Sequence, residues 1–193
     1  MKQEFRKFCL SSKKFNRFYY SKIIGWQLYK LAKNHKNILF FIPMKDEVDI
    51  HWVLRKLRRE GKNIFVPFME DLSFKMVKYA LPLKKKRFSI LEPVNKQKTL
   101  SKIDLAIVPI VGIDYTFRRI GFGKGMYDRF FASLKYKPKI VFIQLKPCVS
   151  KYVVTDYYDI KADEYISFKI RRQNGNMDFN RYFFITSRGF FYS

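Results

Sequence analysis

Three short, strongly apolar runs constrain the fold of this chain more than any other feature of its sequence. They are Asn37–Ile42, Asp104–Val111 and Lys139–Leu145. A strand that is buried on both faces reads as such a run, and this pattern is typical of parallel sheets. Helical patterns lie between the runs, so strands alternate with helices along the chain. We therefore predict an α/β fold: a single three-layer domain with a largely parallel central sheet flanked by helices.

The remaining elements follow from hydrophobic periodicity and from residues that begin or end helices and strands. A short basic helix is predicted over Lys2–Phe8 and a longer one over about Lys13–Asn34. Asp49 is expected to cap the next helix, which Gly61 ends. The later elements are predicted, in chain order, as a strand Asn63–Val66 closed by Pro67, a strand Phe74–Tyr79, a turn at Glu92–Pro93, a helix Met126–Leu134 and a strand Tyr165–Phe168.

Composition sets the broad class of the protein. A chain of 193 residues that is 48% hydrophobic has enough apolar surface for one packed domain, which excludes general disorder. Two cysteines, Cys9 and Cys148, cannot make a disulfide framework, and with only two histidines they do not favour a zinc site. We predict that both are reduced, buried and structural, as in a cytosolic protein. The N-terminus lacks the apolar core of a secretory signal, and no apolar run approaches the roughly 20 residues of a membrane span. These features predict a soluble, cytoplasmic protein.

The charge of the chain indicates polyanionic partners without choosing among them. The formal net charge is +24, which attracts nucleic acids, anionic membranes and phosphorylated substrates alike. The densest cationic runs are Arg55–Arg59 and Lys84–Arg87. Such runs are usually solvated faces, and this is the interpretation we favour. A basic nucleic-acid-binding protein remains the alternative, although no helix-turn-helix, zinc-finger or RNA-recognition signature is present.

The segment Arg119–Asp128 carries the strongest indication of chemistry. It has glycine at alternate positions between a predicted strand and a predicted helix, so its amides can approach a phosphate closely. Arg119 and Lys124 add positive charge, and Asp128 offers an oxygen ligand suited to Mg²⁺. The spacing excludes two common phosphate loops. Lys124 is followed by glycine instead of Ser or Thr, and the third glycine comes one residue too early for the dinucleotide-binding fingerprint.

The loop resembles the C-terminal signature of the 5-formyltetrahydrofolate cyclo-ligase family, also called methenyltetrahydrofolate synthetase. In that signature a strand ends in Pro-Gly, a Phe-Asp pair follows, and the loop reads Arg-Leu-Gly-aromatic-Gly-x-Gly-x-Tyr-Asp. The matching segments here are, in the family's order, Lys2-x-x-Phe5-Arg6, Ile42–Asp49, Gly61-Lys62 with Pro67, Ile90–Pro93, Val108-Pro109, Gly112-Ile113-Asp114, the loop itself and Tyr158–Asp163. The resemblance covers roughly residues 2–170, so residues 1–170 are interpreted as the cyclo-ligase domain and 171–193 as a tail with no assigned role.

The resemblance implies an enzyme of one-carbon metabolism. The family converts 5-formyltetrahydrofolate to 5,10-methenyltetrahydrofolate, uses ATP and Mg²⁺, and releases ADP and phosphate through a phosphorylated formyl intermediate. The implied partners are ATP and 5-formyltetrahydrofolate, with or without additional glutamyl residues. Neither a membrane nor a nucleic acid is expected as a partner. A monomer or weak dimer is expected.

The resemblance also implies roles for individual residues. Arg119 and Lys124 are implied to be catalytic because they would neutralise charge that builds up during phosphoryl transfer. The implied ATP-binding residues are Lys2, Arg6, Arg119, Gly121, Phe122, Gly123, Lys124, Gly125, Met126 and Tyr127. The implied folate-binding residues are Ile42, Met44, Glu47, Phe122 and Tyr127. Asp128 is implied to hold Mg²⁺, and whether Asp159 or Asp163 assists it stays open at this point.

Four residues depart from the family's pattern. Phe117 stands where a turn glycine is usual, and Ile110 replaces the glycine after Pro109. Met126 replaces the first tyrosine of a Tyr-Tyr-Asp sequence, and Tyr158 stands where histidine is common. The departure at Phe117 predicts a differently shaped turn, and those at Met126 and Tyr158 predict altered contacts with the folate.

Overall fold

The computed structural model describes residues 1–11, 16–70, 72–85, 91–94, 102–168, 170–173, 185–186 and 189–190. The helices are α1 (Lys2–Ser11), α2 (Arg17–Ala32), α3 (His51–Arg59) and α4 (Met126–Ala132). The strands are β1 (Asn37–Leu39), β2 (Asn63–Glu70), β3 (Ser73–Lys78), β4 (Leu83–Lys85), β5 (Leu91–Pro93), β6 (Leu105–Pro109), β7 (Gly112–Asp114), β8 (Arg119–Ile120), β9 (Lys139–Gln144), β10 (Val149–Ser150), β11 (Glu164–Ser167), β12 (Ile170–Gln173), β13 (Ile185–Thr186) and β14 (Gly189–Phe190).

The main sheet has seven strands in the order β12-β11-β9-β6-β1-β2-β3. Adjacent strands from β11 to β2 run parallel, and β12 and β3 add an antiparallel strand at each edge. A smaller sheet of β10, β7 and β8 lies beyond the end of β6 and leads into the glycine loop. Since the carboxyl ends of parallel strands meet at one edge, the segments that follow β1 and β6 lie close together there.

Consecutive residues of each inner strand face opposite cores. Ile38 packs in one core with Ile24 of α2 and Leu54 of α3. Leu39 packs in the other with Phe130 of α4. Both faces of the sheet are therefore covered, which explains why the strands read as apolar runs without alternation. The predicted α/β class, with a largely parallel sheet between helical layers, is confirmed.

Several predicted boundaries are wrong for reasons that the pairing explains. Pro67 does not close β2, which runs on to Glu70 paired with β3. β1 pairs with β2 only as far as Phe65, so the missing N–H of Pro67 costs no bond to β1. The predicted turn at Glu92–Pro93 is part of β5, which pairs with β4.

The ends of the helices also differ from prediction. α2 begins at Arg17, where the side chain of Asn16 accepts a hydrogen bond from the Tyr19 amide at 3.0 Å. Residues 12–15 lie outside the described part of the chain. α3 has Ile50 at its cap position, although Asp49 still accepts a hydrogen bond from the His51 amide at 3.1 Å. Gly61 follows the helix with a left-handed φ of 77°, in agreement with its predicted role.

The prediction that both cysteines are reduced is wrong. Cys9 in α1 and Cys148 before β10 form a disulfide across 139 residues of sequence. α1 lies against the start of β7, where a Cβ added to Gly112 would be only 2.9 Å from the Cys9 Sγ and 3.1 Å from the Phe5 ring. The glycine therefore leaves room for the helix. This proximity depends on tertiary packing, which the spacing of two cysteines cannot reveal.

The cationic runs behave as solvated faces wherever they are described. Arg55, Arg58 and Arg59 are exposed on α3, and Lys84 and Lys85 are exposed on β4. Lys86 and Arg87 lie outside the described residues. No helix among the described residues is both long enough and apolar enough to cross a membrane.

Candidate active site

The glycine loop connects β8 to α4 and depends on glycine for its shape. Gly123 and Gly125 have φ of 96° and 60°, a backbone region that side chains disfavour. Gly121 is needed for a different reason, because a Cβ there would lie 2.7 Å from an Nη atom of Arg119. The loop thus allows the Arg119 guanidinium to pack directly against the backbone.

Arg119 is held at the centre of the site. The residue is only 5% exposed, and its Nη2 donates to the Asp128 Oδ2 at 3.1 Å. Its Cζ lies 5.0 Å from the centroid of the Tyr127 ring. The Nε is buried and makes no hydrogen bond to any described residue. The other carboxylate oxygen of Asp128 accepts from the Ile160 amide at 3.2 Å, so both partners are fixed in place.

An apolar cavity of about 270 Å³ opens at the carboxyl ends of β1 and β6. One wall comes from the segment after β1, a second from β2, β3 and β5, and a third from the glycine loop and α4. The lining residues are Phe41, Ile42, Met44, Glu47, Pro67, Met69, Phe74, Leu91, Pro109, Arg119, Phe122, Lys124, Gly125, Met126 and Tyr127. All five residues predicted to bind folate are among them.

Glu47 is the buried carboxyl group of this cavity, with 9% exposure. Its Oε2 accepts a hydrogen bond from the Met44 amide at 2.9 Å. Burial raises the pKa of Glu47 from 4.5 to about 7, against the opposing effects of that hydrogen bond and of Arg17. Near neutral pH this carboxyl group is therefore present in both forms and can either donate or accept a hydrogen bond.

We expect Glu47→Gln to remove a pH dependence of stability. As pH rises from 4.5 towards 7, the unfolded chain ionises Glu47 while the folded chain keeps it protonated, so the free energy of unfolding falls. The full difference corresponds to about 3 kcal/mol. Urea denaturation should find the variant more stable than the wild type near pH 8 by up to that amount and equal near pH 4. Glu70→Gln is the control: it removes a surface ion pair with Lys75 and should change the free energy of unfolding by less than about 1 kcal/mol at either pH. Equal stability of Glu47→Gln and wild type near pH 8 would contradict the prediction.

A second cavity, of about 410 Å³, also borders the glycine loop. Four basic and two acidic residues line it, and we call it the basic cavity. Its lining residues are Lys2, Arg6, Arg119, Gly121, Gly123, Gly125, Asp128, Arg129, Ala132, Tyr158 and Asp159. Arg6 reaches across from α1, and its Nε donates to the Gly121 carbonyl at 2.7 Å. Arg119 and Gly125 line both cavities, so the two cavities adjoin at this buried arginine.

The residues predicted to bind ATP divide between the two cavities. Lys2, Arg6, Arg119 and the three loop glycines line the basic cavity, whereas Phe122, Lys124, Met126 and Tyr127 line the apolar one. Lys2 is not a lone cation, because its Nζ contacts the carboxylates of Asp156 at 2.8 Å and Asp159 at 2.5 Å. Lys124 is exposed at the rim of the apolar cavity.

The acidic residues of the basic cavity are the candidate ligands for a metal ion. The described residues contain no group of three or more His, Cys, Asp or Glu side chains that could hold one. Asp159 lines the cavity with Asp128, but Asp163 accepts a hydrogen bond from the Ile140 amide at 2.8 Å and lies outside the cavity. A donor set of one or two carboxylates fits Mg²⁺, which usually takes most of its ligands from phosphates and water.

The sequence interpretation missed Arg129, which lines the basic cavity. Arg129 braces the loop, with its Nε donating to the Leu72 carbonyl at 2.6 Å and its Nη2 to the Lys124 carbonyl at 2.5 Å. Its position next to Asp128 in α4 is the sequence feature that could have indicated a role at the loop. Phe117, which lines neither cavity, is buried and has a left-handed φ of 63°, so the backbone at this position adopts a conformation that favours glycine.

Comparison with known proteins gives consistent matches. The family model described as the 5-formyltetrahydrofolate cyclo-ligase family matches residues 10–149. The chain is 28% identical to the 5-formyltetrahydrofolate cyclo-ligase of Mus musculus over 159 residues, 74% of this chain and 77% of the relative. It is 30% identical to that of Escherichia coli K12 over 100 residues, 48% of this chain and 55% of the relative.

Solved structures of proteins named 5,10-methenyltetrahydrofolate synthetase are also similar to this chain. The NMR structure of Aquifex aeolicus 5,10-methenyltetrahydrofolate synthetase matches with a TM-score of 0.76 and 26% identity, over 92% of this chain and 94% of that one. The Mycoplasma pneumoniae 5,10-methenyltetrahydrofolate synthetase matches with a TM-score of 0.64 over 86% of this chain and 97% of that one, and at 20% identity it supports the fold alone.

Proposed function

This chain belongs to the 5-formyltetrahydrofolate cyclo-ligase family, and from that premise we propose that it converts 5-formyltetrahydrofolate to 5,10-methenyltetrahydrofolate at the expense of ATP. The formyl oxygen attacks the γ-phosphorus of ATP, and ADP leaves. The folate nitrogen at position ten then attacks the activated carbon and closes the ring. That nitrogen releases its proton, and phosphate departs with the oxygen that came from the formyl group.

The observation that carries this proposal is that Arg119 lines two cavities that differ in chemistry. The apolar cavity, with Phe122 and Tyr127 on its wall and Glu47 as its buried carboxyl group, suits a flat heteroaromatic ligand. The basic cavity suits a triphosphate, because loop amides and cations together bind phosphate. A formyl oxygen in the first cavity and a γ-phosphate in the second would meet at Arg119. Such positioning supplies most of the catalysis in phosphoryl transfer.

Each charged residue of the loop has a role in this proposal. Arg119 and Lys124 stabilise the negative charge that is redistributed on the transferred phosphoryl group. Glu47 hydrogen-bonds the heterocycle of the folate, in either protonation state. The net charge of +24 attracts both ATP and a folate with one or more glutamyl residues. Asp128, with Asp159 beside it, would hold Mg²⁺, which neutralises phosphate charge when it is bound.

The first experiment follows the near-ultraviolet absorbance of the methenyl product after mixing protein, 5-formyltetrahydrofolate and MgATP. We expect product from the wild type and a rate at least about 100-fold lower from both Lys124→Ala and Asp128→Ala. Lys124→Ala removes a cation that would stabilise the phosphoryl group, and Asp128→Ala removes the carboxylate that would hold Mg²⁺ and that fixes Arg119. Lys30→Ala, at an exposed lysine of α2 that lines neither cavity, is the matched control and should react at the wild-type rate.

A folded wild type that forms no product would overturn the proposal. Binding to RNA or DNA that falls steeply with salt and survives Asp128→Ala would then favour the nucleic-acid alternative. ATP binding without any response to 5-formyltetrahydrofolate would favour a different substrate in the apolar cavity.

A further inference from the structure

Tyr158 places an aromatic ring at the rim of the basic cavity. The residue lines that cavity together with Lys2, Arg6 and the loop glycines, yet it is 60% exposed. Aromatic side chains beside a phosphate-binding groove commonly stack on bases, since every base has a π-face.

Contacts within the protein hold the Tyr158 side chain in one orientation. Its hydroxyl donates to the Asp156 Oδ2 at 3.0 Å, and the same carboxylate contacts the Lys2 Nζ at 2.8 Å. That Nζ lies 5.5 Å from the centroid of the Tyr158 ring. The Tyr157 ring packs edge-on at 5.3 Å. A side chain ordered in advance loses little conformational entropy when a ligand binds to it.

From these contacts we infer that Tyr158 is the platform on which the nucleobase of ATP stacks when the triphosphate occupies the basic cavity. The inference rests on the proposed function only in requiring a nucleotide there. The phosphates would lie along the loop between Arg6 and Arg119, and the base would extend outward onto the exposed ring. Tyr157 is 89% exposed but does not line the cavity, so it is not the platform.

The test compares two ligands that share the phosphates but not the base. Isothermal titration measures the Kd of ATP and of inorganic tripolyphosphate for the wild type, Tyr158→Leu, Tyr158→Phe and Tyr157→Leu. Stacking one base on an aromatic ring is worth about 5- to 150-fold in affinity. We expect Tyr158→Leu to weaken ATP binding by about 10-fold and to leave tripolyphosphate binding unchanged. Tyr158→Phe, which keeps the ring but loses its hydrogen bond to Asp156, should weaken ATP binding less than Tyr158→Leu does. Tyr157→Leu should stay within about 2-fold of wild type for both ligands.

Several results would overturn the inference. Equal weakening of ATP and tripolyphosphate by Tyr158→Leu would mean that the residue acts only through Lys2 and Asp156. An unchanged affinity for ATP would mean that the base lies elsewhere, and a large loss in Tyr157→Leu would assign the platform to the neighbouring ring. If Tyr158→Leu does not fold, the wild type still tests the inference: an affinity for ATP no higher than that for tripolyphosphate would mean that the base gains nothing from the ring.

Failure of this inference is distinguishable from failure of the proposed function. The titrations contain no folate, so a wild type that binds ATP but forms no methenyl product leaves the role of Tyr158 testable by the same measurements. A wild type that binds neither ATP nor tripolyphosphate overturns both the inference and the proposed function, because the basic cavity would then not be a nucleotide site.

Discussion

Arg119→Lys is expected to lower kcat of the proposed reaction by about 10²- to 10³-fold. This is the usual cost of losing one preorganised hydrogen-bond donor at a site where charge develops. Lysine keeps the charge but not the planar fork that bonds Asp128 while lying over the Tyr127 ring. Single-turnover product formation measures the chemical step, and thermal denaturation confirms that the variant is folded. A wild-type rate in the folded variant would show that the charge alone suffices.

A companion change displaces the same guanidinium without replacing Arg119. In Gly121→Ala the new Cβ would lie 2.7 Å from an Nη atom of Arg119, so the arginine must move and we expect a rate loss in the same direction. Gly61→Ala is the matched control. Its Cβ would have nothing within 4 Å, although its φ of 77° makes alanine strained, so stability should fall while the rate is unchanged. A wild-type rate in Gly121→Ala would contradict the importance of where the guanidinium lies.

The layered fold could be predicted because a strand that is buried on both faces has apolar residues at consecutive positions. Ile38 and Leu39 are adjacent in sequence, face opposite cores and are both fully buried, so the run must be apolar throughout. The length of β2 could not be predicted in the same way. Pro67 ends a strand only where its missing N–H would break a ladder, and whether it does so depends on how far β1 pairs alongside.

Every site residue that the motifs indicate lines one of the two cavities, but the division of these residues between two cavities could not be predicted. The same loop presents Gly123 to the basic cavity and Lys124 to the apolar one, and only the folded backbone decides which side each residue faces. The pairing of Lys2 with Asp156 and Asp159 joins residues 154 and 157 positions apart. The burial that raises the pKa of Glu47 also comes from the packed fold, so no local pattern indicates either feature.

The disulfide leads to the second large expected effect, a loss of stability on reduction. The link between Cys9 and Cys148 closes a loop across 139 residues, and restricting the unfolded chain in this way is worth about 2–5 kcal/mol for a loop of such length. We expect urea denaturation of the wild type to show a fall of that size when a reductant is added. Cys9→Ser/Cys148→Ser should match the reduced wild type and should not respond to reductant.

The link also holds α1, and with it Lys2 and Arg6, at the basic cavity. No residue of α1 is fully buried, so once the disulfide is broken the helix depends on its polar contacts and on Phe5 against β7. We therefore expect the doubly substituted protein to bind tripolyphosphate more weakly than the oxidised wild type. Thiol labelling of the unreduced, denatured wild type provides the decisive control: two reactive thiols would show that the bond is not formed and would remove the basis of this prediction. If no thiol is labelled and reductant does not change the stability, the disulfide is present but its loss is not costly. In that case α1 remains docked by its other contacts, and the unfolded chain is compact enough to gain little freedom when the bond breaks.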